Sequence, residues 1–293
     1  MSLLEKWSEA VDRKNSVLCA GLDPAEFEMG RGDEGLPKGT NKRDWSLKYI
    51  EAVAPFAAAV KPNFQYWKAD DDVKALKEIN ALAHHLGLVV IDDSKLADIG
   101  STNDSGVFYG AQRADAITYS PFAGNIKEVA QQGRDRGIAV ISMVLMSNPE
   151  YKNLKNSLVQ VQDFTTYKTE DLTKVDKEED AKYDRVPQYI YLAHDAQKHG
   201  IEGIVIGAPS AKNHVKEAEI AKVRGYTSQD MIVLCPGTGK QKGEADLIWK
   251  YFKNVIGNVG RGCMFPNGSE STPSQQAVAA KSYMEAFNQM RGA

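Results

Sequence analysis

The chain has 293 residues, 42% hydrophobic and 26% charged, with a formal net charge of -3. That is enough for one large α/β domain or two small ones, with a sizeable core. With this charge, nothing points to nucleic acid or anionic membrane as a partner. A local basic site for one anionic ligand is still compatible with it. Cys19, Cys235 and Cys263 are odd in number and far apart, so neither a disulfide framework nor a metal-ligand spacing is present, and a reducing cytoplasm is expected.

In chain order, "MSLLEKWSEAVDRK" reads as an amphipathic helix rather than a signal peptide. No apolar run approaches the roughly 20 residues of a membrane span. Short apolar strands then alternate with helical patterns. The expected strands are Val17–Leu22, Phe56–Lys61, Gly87–Asp92, Asp115–Ser120, Ile138–Leu145, Gly203–Gly207, Met231–Cys235 and Asn258–Gly262. Helical spacing covers Asp44–Val53, Asp71–His85, Asn103–Gln112, Gly124–Arg136, Pro187–His199, Ala211–Val223, Ala245–Asn254 and Ser274–Arg291.

Eight strand–helix units in series predict a single-domain (β/α)₈ barrel spanning 1–293, near the usual size of about 250 residues. A doubly wound open sheet is the competing fold. The first strand ends "AGLDP", however, which is not a dinucleotide-binding fingerprint. Long connections at about 24–43 and 150–185 interrupt the pattern. The second reads either as a solvated insertion or as a lid over the site.

Active groups of such a barrel belong at the strand C-termini. Those ends carry Asp23, Lys61 with Asn63, Asp93 with Lys95, Ser147, Gly237 with Gln241, and Arg261. The densest stretch is "VVIDDSKLADIGST" (Val89–Thr102). Strand alternation puts Asp93 and Lys95 on one face, while Asp98 lies beyond the strand end. An Asp–Lys pair alone is often structural, but Lys61 ends the neighbouring strand. A magnesium site at Asp92 or Asp93 would compete with the lysine two residues on, and no histidine accompanies the carboxylates. A phosphoribosyl-binding loop matches "VVIDD" only, because an aspartate follows where the phosphate would sit.

A phosphate fits better in "CPGTGKQKG" (Cys235–Gly243) and "VGRG" (Val259–Gly262), after strands seven and eight. There Gly237, Gly239 and Gly262 let the backbone approach, and Arg261 can grip phosphate oxygens. The bland alternative is two tight turns with Arg261 on the surface. Ser147 in "MSNP" could read a heterocycle edge or simply begin a turn.

These residues resemble the orotidine 5′-monophosphate decarboxylase family. "DSKLADIGST" is similar to its signature, and "GLDP", "VKPNF", "MSNP", "PGTGKQ" and "GRG" have counterparts in the same order. The resemblance implies a homodimeric barrel that turns orotidine 5′-monophosphate into uridine 5′-monophosphate and CO₂ without cofactor or metal, in de novo pyrimidine synthesis. Lys95 would be the proton donor, Asp93 would press on the substrate carboxylate, and Lys61 would hold the network. Asp98 and Thr102 would act across the subunit interface. Asp23 would bind the ribose, Asn63 would be a further substrate-binding residue, and Ser147 would contact the pyrimidine. Gly237, Gly239, Gln241, Arg261 and Gly262 would hold the phosphate. Two further readings rest on the same residues: a metal-dependent or Schiff-base phosphosugar enzyme, and a nucleotide-binding module without turnover.

Overall fold

A computed structural model of the chain describes residues 1–174, 184–239 and 245–292. Eleven strands occur there: β1 Leu18–Leu22, β2 Ala59–Pro62, β3 Val89–Leu96, β4 Ala116–Tyr119, β5 Ala139–Leu145, β6 Leu158–Val161, β7 Thr173–Lys174, β8 Asp184–Pro187, β9 Gly203–Ile206, β10 Ile232–Pro236 and β11 Val255–Val259. The helices are α1 Leu3–Lys14, α2 Lys42–Val53, α3 Asp72–His85, α4 Gly100–Ala111, α5 Ile126–Arg136, α6 Tyr151–Lys155, α7 Gln188–Lys198, α8 Glu217–Gly225, α9 Asp246–Tyr251, α10 Arg261–Met264 and α11 Pro273–Met290.

Eight of the strands close a parallel barrel in the order β1-β2-β3-β4-β5-β9-β10-β11, and β11 returns to β1. The predicted (β/α)₈ fold is therefore the observed one. β1, β2, β4 and β9 are buried along their whole length. That is what a sheet covered on both faces requires, and it explains the continuous apolar runs in the sequence.

The amphipathic first helix closes one end of the barrel. Its buried residues Leu3, Trp7 and Ala10 fall on one face, and Ser2 and Glu5 form a capping box. The Lys6 ammonium meets Asp115 at 2.8 Å, and the backbone N–H of Leu3 donates to Glu202 at 2.7 Å. Asp115 and Glu202 precede β4 and β9, so α1 covers the N-terminal ends of the strands. The C-terminal ends remain open.

Three expectations need correction. The eighth strand lies at Val255–Val259, not Asn258–Gly262, and Arg261 opens a helical turn instead of ending a strand. Val255 and Ile256, left between the expected helix and strand, pair with Val233 and Leu234 of β10, a register that local spacing does not encode. The helix expected from Ala211 begins at Glu217, because the Asn213 carboxamide accepts from the N–H groups of Ser210 and Val215 and holds a turn. Most consequentially, β3 runs on to Leu96, so Asp93 and Lys95 sit inside it.

The long second connection is not a plain loop. β6, β8 and β7 form a small antiparallel sheet. Asp171 accepts from Tyr226 Oη at 2.9 Å and pairs with Lys222, while Tyr167 packs on His194 with ring centroids 4.4 Å apart. These contacts fasten the described part of 163–171 to α7 and α8, on the outside of the barrel. Residues 175–183, which complete the connection, lie outside the described residues.

Asp115 also accepts from the Val90 N–H and meets His84 Nε2, both at 2.9 Å. Burial alone would raise its carboxyl pKa. The hydrogen bonds from His84, Lys6 and Val90 reverse that and bring it down to about 2. A lowered carboxyl contributes stability above its unfolded pKa near 4 and loses it as pH falls through the folded value. Asp115→Asn is expected to cost about 2 kcal/mol at pH 7. In urea unfolding measured across pH, that cost should shrink between about pH 4 and pH 2. A cost independent of pH would remove the charge from the account.

Candidate active site

At the open end, two neighbouring strands, β2 and β3, deliver charge to one point. The Lys61 ammonium on β2 donates to Asp93 Oδ2, and the Lys95 ammonium donates to Asp93 Oδ1 at 2.6 Å. Lys61 and Asp93 are buried, whereas the Lys95 side chain is 38% exposed. Burial alone would raise the Asp93 carboxyl. The Lys61 and Lys95 ammoniums outweigh it and hold Asp93 well below the usual carboxylate range. Burial likewise opposes the Lys61 charge, but Asp93 and Asp23 override it and push the ammonium pKa up.

Strand alternation is not what brings Asp93 and Lys95 together. The register between β3 and β4 shifts between Asp92 and Leu96, and Lys95 has φ of 51°. A non-glycine residue in the left-handed region carries strain of about 1–3 kcal/mol and needs its surroundings to hold it. Thr118 on β4 supplies that hold. Its hydroxyl accepts from the Lys95 N–H at 2.9 Å and donates to Asp93 Oδ1 at 2.9 Å. Sequence reasoning missed Thr118. The available signal was a polar residue within an apolar strand, "DAITYS".

Asp92 faces the other way. Arg113 donates two hydrogen bonds to its Oδ2, at 2.9 and 2.6 Å, and the Ser94 hydroxyl donates to Oδ1. Both partners of this ion pair are buried, at 7% and 2% side-chain exposure, outside the Asp93 cluster.

Beside the charge cluster lies a cavity of about 420 Å³ at the ends of β1, β10 and β11. Asp23 and Asn258 line it, and each has a buried Oδ1 with no partner among the described residues. Burial raises the Asp23 carboxyl pKa despite the nearby Lys61 ammonium and Asn63 amide. Such orphaned acceptors suit a ligand with hydroxyl or N–H donors. Gly237, Gly239, Arg261 and Gly262 line the same cavity. Gly237 has φ of 90°, which its turn requires, and the Thr238 hydroxyl donates to the Asn258 carbonyl at 3.1 Å, joining the two turns. A Cβ at Gly262 would collide with the Tyr283 hydroxyl from α11. Arg261 is half-exposed and pairs with Glu34 from the connection after β1. Asn258, Tyr283, Arg31 and Glu34 were not legible as site residues.

The remaining expected residues are dispersed. Ser147 follows β5, opposite β1 in the ring, and packs against Gly207. Asn63 caps a short turn through the Gln65 N–H. Asp98 and Thr102 are exposed, and the Asp98 carboxylate accepts from the Ile99 N–H. Neither makes a hydrogen bond to the Lys95 cluster of its own chain among the described residues. Gln241 lies outside the described residues. Among the described residues no three His, Cys, Asp or Glu side chains group to hold a metal ion.

Comparison with known proteins shows relatives in sequence and in fold. The chain is 29% identical to the orotidine 5′-phosphate decarboxylase of an Azoarcus species, over 96% of this chain and 97% of that one. It is also 29% identical to the protein of that name from Halorubrum lacusprofundi, over 99% and 100%. Among solved structures, the OMP decarboxylase of Leishmania donovani shares the fold with a TM-score of 0.71 at 23% identity, over the full length of both chains. The Methanocaldococcus jannaschii enzyme complexed with the inhibitor BMP gives 0.63 at 21%, over 92% and 98%. Residues 16–248 match the sequence model of the orotidine 5′-phosphate decarboxylase / HUMPS family, and the chain belongs to that family.

Proposed function

We propose that the protein decarboxylates orotidine 5′-monophosphate to uridine 5′-monophosphate, a step of pyrimidine synthesis. The observation that carries this reading is a partly exposed lysine held by a buried aspartate, with a polar cavity lined by Asp23 and Arg261 close by. Breaking the bond between the ring and its carboxylate releases CO₂ and leaves an electron pair in the ring plane, where the π system cannot spread it. Lys95 stabilises that pair electrostatically and then gives its proton to the carbon, leaving a neutral amine.

Asp93 has two roles. It fixes Lys95, and its charge opposes the substrate carboxylate. At ~4 Å and an effective dielectric of ~20, that repulsion is worth ~4 kcal/mol. The largest enzymatic accelerations need ~20 kcal/mol or more, so the repulsion is the smaller part. The larger part is a preorganised cation, with phosphate and ribose binding used for orientation. Asp23, Asn63 and Asn258 face the ribose. Arg261, Gly237, Gly239 and Gly262, with Gln241, receive the phosphate. Ser147 reads the pyrimidine edge.

The working unit in this reading is a homodimer in which Asp98 and Thr102 serve the partner's site. Both are exposed and, among the described residues, make no hydrogen bond to the cluster of their own chain. Ile99 and Phe122, at 60% and 92% exposure, form apolar surface close by. No helix among the described residues is long and apolar enough to cross a membrane, and the three cysteines are free and buried. That suits a cytoplasmic enzyme.

Lys95→Ala is expected to lower turnover by at least about 10⁴-fold in a spectrophotometric assay of orotidine 5′-monophosphate loss. Wild-type activity should persist in EDTA; abolition by chelator would favour a metal-dependent phosphosugar enzyme on the same barrel. Arg261→Ala should lower kcat as well as raise KM, and a change in KM alone would refute the coupling of phosphate binding to orientation. Thr118→Val removes the hydroxyl that holds the left-handed backbone at Lys95. It should reduce kcat by about ten-fold with little change in KM, and Thr118→Ser should restore it. Mixing Lys95→Ala with Asp98→Ala subunits should regenerate activity that neither variant has alone.

A further inference from the structure

The connection after β1 is long, and the reaction as described gives it no task. It is nonetheless well built. The Leu36 N–H closes it onto the Ala25 carbonyl at 2.7 Å, and Leu36 and Ala25 are buried. Two successive 3₁₀ turns, Phe27–Met29 and Gly32–Glu34, bring Arg31 and Glu34 to the rim of the cavity. Lys42 anchors the far end through Glu26 and through Asp72 at 2.7 Å. Glu34 is therefore presented to Arg261 by a fixed segment, and Arg31 stands at the same rim.

This arrangement matters for charge. A carboxylate already occupies the arginine that would receive a phosphate. A monoanionic competitor offers Arg261 no more charge than Glu34 does. A phosphate monoester, with about -1.5 to -2 charges at pH 7, offers more and also engages the second guanidinium. We propose that Glu34 and Arg31 are specificity-determining residues for the 5′-phosphate: Glu34 is an internal counter-ion that the phosphate must displace from Arg261, and Arg31 joins Arg261 on the displaced site. The proposal rests on the phosphate reading given above and adds the exchange of partners to it.

The energetic scale follows from exposure. The side chains of Arg261 and Glu34 are 47% and 34% exposed, so their pairing is screened by solvent. The competition is correspondingly modest and salt-sensitive.

Calorimetric titration of the whole protein with uridine 5′-monophosphate, and with uridine as the control, tests this at low and high ionic strength. Glu34→Gln should tighten the nucleotide about two- to five-fold at low salt, with the gain vanishing at high salt. Arg31→Gln should weaken it, and uridine should bind equally to every variant. No tightening in Glu34→Gln, or no loss in Arg31→Gln, overturns the proposal. Arg261→Gln separates it from the reading beneath: if that variant loses nucleotide affinity while Glu34→Gln gains none, the phosphate site stands and only the exchange fails. If Arg261→Gln binds the nucleotide as the wild type does, the phosphate reading itself fails.

Discussion

Asp93 is the charge on which the open end of this barrel depends. It is buried, it is ionised, and it holds two ammonium groups, one on each of its oxygens. A buried ion pair is costly to assemble and repays that cost only if its remaining valences are satisfied. Here Thr118 completes the set by donating to the oxygen that Lys95 uses. Lys61 is buried, while Lys95 is partly exposed. The asymmetry between the two lysines is what the proposed reaction would use: one neutralises the carboxylate, and the other is left partly exposed.

The same dependence explains why the backbone departs from regular strand geometry at Lys95. A plain strand would give alternation and nothing more. With the register shift and the left-handed residue, the ammonium meets Asp93 and remains partly exposed. Strain of this kind persists only where neighbours over-determine the conformation, and the Thr118 hydroxyl bonds both the strained N–H and the carboxylate. Asp92, one residue earlier, stabilises the opposite side of the strand through Arg113, a separate ion pair that leaves the reacting cluster undisturbed.

The cavity complements this centre at a distance. Its inner wall carries orphaned acceptors on Asp23 and Asn258, and its outer wall carries Arg261 and Arg31. A ligand bridging both ends would gain orientation from contacts remote from the reacting carbon, and that is how binding energy is converted into rate. α1 seals the other end of the barrel through Asp115 and Glu202, so the two ends divide stability from chemistry.

The sequence by itself determined the barrel, because eight apolar runs separated by helical spacing leave few ways to bury both faces of a sheet. It also determined which strand ends carry charge, and so pointed to Lys61, Asp93, Lys95 and Arg261. It could not determine how those charges meet. The bulge in β3, the left-handed φ at Lys95 and the bridging Thr118 arise from pairing between β3 and the next strand, β4, and alternation along one strand carries no trace of them. The limits of β11 were misplaced because they are set by pairing with β10 and β1, which local spacing does not encode. Glu34 meeting Arg261, and Tyr283 standing over Gly262, join residues separated by long stretches of chain. Only closure of the ring, which sets the first and last strands side by side, brings the former pair together.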